Sequence, residues 1–213
     1  MSLFLSRLLL ARPPGPYEVH RVLWRAFPGQ TERPFLFRAD EVDEGHLRVL
    51  VQSTAAPVWE LLGKRVIDVS GPKTHDPPCA NGTRLRFLLR ANPTVRRKGH
   101  DEPRFKTLDS AAFRQLRGLR VGLVRDEDRV AWLVRHASSA GFHVASHNDS
   151  LAIRVSPPFT VSWRHGTKRG HHAGIDFEGM LVVDDPTRLA SALATGIGSA
   201  KALGFGLLSV GIP

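Results

Sequence analysis

Leu3 to Leu10 is an almost unbroken apolar run, the pattern of a strand buried on both faces. Arg12-Pro13-Pro14-Gly15 breaks it, and Pro16 then suits a first helical position, where no backbone donor is needed. Tyr17, His20, Leu23, Trp24 and Phe27 follow a helical period that Pro28-Gly29 ends. Phe35–Phe37 and Leu47–Val51 read as two strands around a polar turn at Asp43, Glu44 and Gly45. A short helix over Pro57–Leu62 and a strand over Val66–Val69 complete the first series. Gly71 to Gly82 carries prolines and glycines and no periodicity, as a linker does.

The second half repeats that rhythm. In Arg84–Arg90, Leu85, Phe87 and Leu89 point one way, while Arg84, Arg86 and Arg90 share the other face. Asp126 is expected to cap a helix whose inner stripe is Val130, Leu133, Val134 and Ala137, and Gly141 ends it. Phe142–Ala145 and Leu151–Val155 are strands around His147-Asn148-Asp149. A further hairpin alternates Phe159, Val161 and Trp163 with polar residues, turns at Gly166–Gly170, and returns through Ile175 and Phe177. Asp185 and Pro186 open a last helix, Gly196 closes it, and Phe205–Val210 is the final strand. The expected fold is α+β, with two tandem ferredoxin-like (RRM-like) β-α-β-β-α-β domains, the second holding the inserted β-hairpin. The expected boundaries are 1–75, a linker at 76–83, and 84–213.

Composition narrows the function. The chain has 213 residues and a formal net charge of +10, with 30 Lys+Arg against 20 Asp+Glu. Of the cations 24 are Arg, whose planar fork suits phosphates and base edges, although a GC-rich genome also inflates Arg. One cysteine, Cys79, excludes an internal disulfide framework and cysteine-rich zinc modules. No apolar run reaches the about 20 residues that span a bilayer. The first residues lack a basic leader and a small-residue cleavage site, so they read as a strand and not a signal peptide. These features point to a cytoplasmic protein outside the membrane.

Three segments are candidates for chemistry. Tyr17 and His20 are three apart in the first turns of a helix, so they share a face near free backbone donors that favour an anion. An imidazole there could move protons at a phosphate near neutral pH. A Tyr and a His flanking an amphipathic helix is the plainer reading. Gly196-Ile-Gly198-Ser-Ala-Lys201-Ala-Leu-Gly204-Phe-Gly206 either lets backbone approach a phosphate or simply turns the chain. It matches neither the P-loop nor the dinucleotide fingerprint. The basic segments Arg96-Arg97-Lys98 and Arg164, Lys168 and Arg169 at the hairpin tip could clamp a nucleic-acid backbone, or be solvated loops. His75-Asp76, His100-Asp101 and the group of His165, His171 and His172 lack ligand spacing. No metal or other cofactor is therefore expected.

Together these segments resemble the CasE family, the CRISPR-associated endoribonucleases of type I-E systems. The resemblance rests on the N-terminal strand, Pro16-Tyr17-Glu18-Val19-His20, Arg84 to Pro93, Val130-Ala131-Trp132-Leu133, Phe177-Glu178-Gly179 and Gly196 to Val210, in that order. The stretch from His100 to Val124 is longer than the family pattern. The resemblance implies metal-independent cutting of a CRISPR precursor RNA at the 3′ base of its repeat stem-loop. The ribose 2′-OH would attack, leaving a 5′-OH and a 2′,3′-cyclic phosphate or 3′-phosphate. It implies catalytic roles for His20 and Tyr17. It further implies RNA binding by the hairpin and by Gly198, Lys201 and Gly204, and retention of the product within Cascade. The free protein is expected to be a monomer. A non-catalytic pair of RRM-like modules is the alternative, but no RNP1-like aromatic run is present. A catalytically dead RNA-capping subunit is a third reading, against which the presence of both Tyr17 and His20 argues.

Overall fold

The computed structural model describes residues 2–11, 15–43, 45–96, 120–148 and 150–213. Its first half runs β1 (Leu3–Ala11), α1 (Pro16–Trp24), β2 (Phe35–Asp43), β3 (His46–Ser53), a 3₁₀ segment (Trp59–Arg65) and β4 (Val66–His75). The four strands form an antiparallel sheet in the order β2-β3-β1-β4. Val19, Val22 and Leu23 of α1 pack onto it, against Leu8, Leu10, Phe27, Phe35, Val49, Val51 and Trp59. Burying each such large side chain contributes on the order of 1.5–3 kcal/mol.

Several expectations change here for physical reasons. β1 is not buried on both faces: Leu8 and Leu10 face the core, Leu9 is half-buried and Arg7 is exposed. Only one face of this sheet is covered by α1, so the strand alternates despite its apolar run. α1 stops at Trp24, and Ala26 and Phe27 continue it with tighter bonds to the carbonyls of Leu23 and Trp24. The helix expected at Pro57–Leu62 is the 3₁₀ segment, interrupted by Gly63 at φ 58°. β4 extends to His75, so residues 73–75 of the linker-like stretch Gly71–Gly82 pair with β1.

The second half contains β5 (Arg84–Ala91), β6 (Thr94–Arg96), β7 (Arg120–Gly122), α2 (Asp126–Ser139), β8 (Phe142–Val144), β9 (Ser146–His147), β10 (Ser150–Leu151), β11 (Ile153–Val155), β12 (Phe159–His165), β13 (Lys168–Val183), α3 (Pro186–Thr195), a 3₁₀ turn (Lys201–Leu203) and β14 (Leu208–Gly211). The central order is β11-β13-β5-β14, with β8 and β12 also paired to β13. β13 serves two ends: residues 168–174 pair with β12, and the rest join the sheet. Leu85, Phe87 and Leu89 face the core, as their alternation requires. The closing strand begins at Leu208, three residues later than expected.

The α2 stripe is shifted by one position. Trp132, Leu133 and Ala137 are buried, whereas Val134 is exposed and Val130 only half-buried. Asp126 is not the cap: Arg125 holds that place, and Asp126 pairs with Arg129 at 2.6 Å. Asp185 does cap α3, accepting from the Thr187 and Arg188 backbone N–H groups at 3.0 Å each. The whole is a mixed α+β fold of antiparallel sheets. The halves meet along β2 and β3: the Gln52 side chain donates to the Leu193 carbonyl at 2.6 Å, and Arg38 to Ser209 Oγ at 3.0 Å.

Candidate functional site

The seam between the halves brings three sequence candidates together. α1 packs against both the 3₁₀ turn Lys201–Leu203 and strand β12, and β2 touches the same turn. The helix that carries Tyr17 and His20 is therefore packed beside the glycine-rich segment, although about 180 residues of chain separate them.

Pro16 starts α1 without a side-chain cap, and Gly15 in extended backbone supplies the first carbonyl acceptor. One turn on, the His20 ring lies 6.1 Å from that of Tyr17, 5.9 Å from Trp24 and 5.6 Å from Phe35, centre to centre. Burial against these rings pushes the His20 imidazole below its ordinary range, and the positive charge of Arg33 pushes it further. His20 is therefore neutral at pH 7 and fit to accept a proton. Glu18, in the first turn, could have repelled an anion from this helix end. Arg21 at 3.1 Å and Arg65 at 3.9 Å draw its carboxylate aside.

The glycine-rich segment is built for packing as well as approach. Gly198 has φ +82°, and an added Cβ would lie 3.0 Å from Trp132 Cζ2. Gly204 has φ +89°, with its Cβ position 3.2 Å from Phe37 Cε2. At both glycines the position a Cβ would take is crowded by the protein's own aromatic rings. Lys201 donates from Nζ to the Thr195 carbonyl at 2.6 Å, neutralising the negative end of α3. Burial and the charge of Arg33 both lower its affinity for its proton.

The basic hairpin stands at one end of the same seam. Its arms close at a two-residue turn, Gly166-Thr167, because Arg164 pairs with Arg169 and His165 with Lys168. The expected five-residue turn is thus mostly strand. Register puts Arg164 and Arg169 on one face and Lys168 on the other, with Trp163 and Phe159. The three cations do not form a single patch. Trp163 and Phe159 lie over Gly170 and Gly174, where any Cβ would collide with the rings. Arg96 is exposed on β6, which pairs with β7 in a ribbon separate from both main sheets. Arg97 and Lys98 lie outside the described residues, as does most of the long His100–Val124 stretch.

The roles of two arginines were not readable from the sequence. Arg90 belonged to an arginine stripe, but the structure withdraws it from any RNA surface. It donates to both Asp176 oxygens and to the Ala39 carbonyl at 2.8 Å each, and lies 2.8 Å from Asp40. Its guanidinium also sits 5.0 Å from the Phe159 ring centre. Arg84 and Arg86 remain exposed. Arg33, two residues before the start of β2, is the charge felt by both His20 and Lys201. A cleft of about 730 Å³ runs along the seam, lined by Pro16, Val19, Asp40, Arg90, Phe159 and Gly204. Its Asp40 and Asp176 are held by Arg90, so it offers an anion less than the His20 side does.

Comparison with known proteins gives consistent matches over nearly the whole chain. The protein family described as CRISPR associated protein matches residues 4–211. The CRISPR-associated endoribonuclease Cse3 of Thermus thermophilus is 35% identical over 207 residues, covering 92% of this chain and 90% of that protein. The CRISPR system Cascade subunit CasE of Escherichia coli (strain K12) is 31% identical, covering 98% of each. The structure of Thermus thermophilus Cse3 bound to an RNA representing a pre-cleavage complex superposes with a TM-score of 0.79 at 31% identity, covering 99% of this chain and 100% of that one. The ordered segments that carried the resemblance thus extend to the whole fold, and the chain belongs to the CasE family of CRISPR-associated proteins.

Proposed function

We propose that the protein is an endoribonuclease that cuts a CRISPR precursor RNA at the 3′ base of its repeat stem-loop. The observation that carries this is a half-buried His20 beside Tyr17 at the seam between the two halves, in surroundings that disfavour its charged form. The endoribonuclease name of the Cse3 relative and its RNA-bound structure support the same reading. In the reaction, the ribose 2′-oxygen bonds to the adjacent phosphorus as the bond to the 5′-oxygen breaks. The 2′-hydroxyl proton leaves, a proton reaches the 5′-oxygen, and a 2′,3′-cyclic phosphate results. His20 is suited to take the first proton, and the Tyr17 hydroxyl to orient the ribose or phosphate. The nucleophile belongs to the RNA, so no Ser or Cys triad is required.

The two antiparallel sheets each place the first and third main strands centrally, which supports a pair of ferredoxin-like domains at 1–75 and 84–213. In this reading the hairpin supports the stem, with Arg164 and Arg169 as phosphate contacts on one face and Lys168 on the other. Arg96 is a more remote contact. The product stays bound, and the protein joins Cascade through it, as the name of the CasE relative suggests.

The test is single-turnover cleavage of the repeat RNA from the same locus, in EDTA. The expected products carry 5′-OH and cyclic-phosphate ends, and His20→Ala slows cutting by roughly 10²–10⁴-fold with stem binding nearly unchanged. A 2′-deoxy residue at the cut site should stop the reaction. Efficient cutting of that deoxy RNA would sink the mechanism, and normal cutting by His20→Ala would remove His20 from it.

A further inference from the structure

We propose that Arg33 is the phosphate-holding residue of this site, its guanidinium taking the non-bridging oxygens of the scissile phosphate between His20 and Lys201. The inference rests on the nuclease reading above and adds to it a residue that no sequence pattern marked.

Arg33 is rigidly placed. The next residue, Pro34, is buried, and its carbonyl accepts from the Thr54 backbone N–H at 2.8 Å. Phe35 follows in β2, and its ring lies 5.6 Å from that of His20. From the same strand, Leu36 packs under Gly196 and Phe37 under Gly204. The start of β2 is therefore wedged between α1 and the glycine-rich segment, and Arg33 stands at its mouth.

The charges around it are unbalanced. Arg33 bears on both His20 and Lys201, and among the described residues no carboxylate pairs with any of the three. Several other cations of the seam are committed. Arg21 and Arg65 meet Glu18, Arg38 and Arg90 meet Asp40 and Asp176, and Lys201 reaches the Thr195 carbonyl. Arg33 Nε is shielded from solvent and has no hydrogen-bond acceptor. Keeping a half-buried guanidinium near the Lys201 ammonium, beside an imidazole whose charged form it disfavours, is costly, because arginine cannot shed its proton to relieve the strain. A phosphate reverses the sign of every term. Its oxygens match the planar fork, and they gain negative charge as the phosphorane forms, so the contact strengthens in the transition state.

Arg33→Met keeps most of the apolar stem and removes the fork. Single-turnover cleavage should fall by about 10²–10³-fold, the usual loss for one donor to a developing oxyanion. Affinity for a 2′-deoxy repeat RNA should stay within a few-fold, and the melting temperature should not drop. Millimolar guanidinium should restore part of the rate to Arg33→Ala, which a packing role could not allow. A rate within about threefold of the unmodified protein would overturn the proposal. So would a loss that tracks a lower melting temperature and ignores guanidinium. A second measurement separates this from the nuclease reading. In ¹H–¹⁵N spectra of the unmodified protein, inorganic phosphate should shift the Arg33 Nε–H resonance, whether or not RNA is cut. If the protein fails to cut but the shift occurs, the nuclease reading falls and the anion site stands; an unmoved resonance overturns the site.

Discussion

Arg90→Met should destabilise the protein by about 2–3 kcal/mol. Arg90 ties β5 to β13 through Asp176 and to β2 through Asp40 and the Ala39 carbonyl. Burial works against its charge, but the hydrogen bonds and charges of Asp176 and Asp40 outweigh that and keep it firmly protonated. The Arg90 and Asp176 side chains are only 17% and 19% exposed, so losing the arginine strands a carboxylate away from water. Breaking a fully buried pair costs about 3–5 kcal/mol, and hydrogen bonds to charged groups contribute about 1.5–3. Asp40 is 43% exposed, so its share is screened and the lower part of that range applies. For a chain of this size each kcal/mol moves the melting temperature by about 2–4 °C, so a fall of about 5–10 °C is expected in a thermal melt. Arg90→Met/Asp176→Asn should recover at least part of the loss, because the stranded charge is gone. Because Arg90 joins the halves that carry His20 and Lys201, cleavage should fall more than the lost stability alone requires. A change under about 2 °C, or a double variant whose loss is the plain sum of the singles, would refute this account.

Lys201→Met removes the bond to the Thr195 carbonyl and should cost about 1 kcal/mol, a melting shift of about 2–4 °C, with Lys201→Arg closer to the unmodified protein. An unchanged melt would show that the anchor at the end of α3 carries no weight. The lowered proton affinity of His20 also bears on stability. The folded state disfavours its charge, so its contribution is complete above the ordinary value of 6.5 and is lost as pH falls below it towards the lower folded value. In urea unfolding from about pH 7.5 down to about 5, His20→Gln should therefore lose less stability than the unmodified protein, and equal losses would contradict the burial of His20.

Much of this molecule was legible from local rules. Period-two runs located β5 and the β12–β13 hairpin, and Asp185 and Pro186 marked the start of α3, because a side-chain cap and a proline act within one turn. Pro16 fixed the start of the helix bearing Tyr17 and His20. Local rules also failed in characteristic ways. The apolar run of β1 could not reveal that one face of its sheet is uncovered, and the α2 stripe was misplaced by one position because Trp132 outweighs Val134 in the core. The identity and spacing of Tyr17 and His20 came from the sequence. That its charged form is disfavoured did not, since burial beside Trp24 and Phe35 and the charge of Arg33 come together only in the fold. Likewise Arg90 and Arg33 are indistinguishable among 24 arginines until the halves close. One then finds two carboxylates and becomes a rivet, while the other finds the Lys201 ammonium and the His20 imidazole. Electrostatic energy depends on distances across the fold, and distances between residues remote in sequence are set by tertiary packing alone.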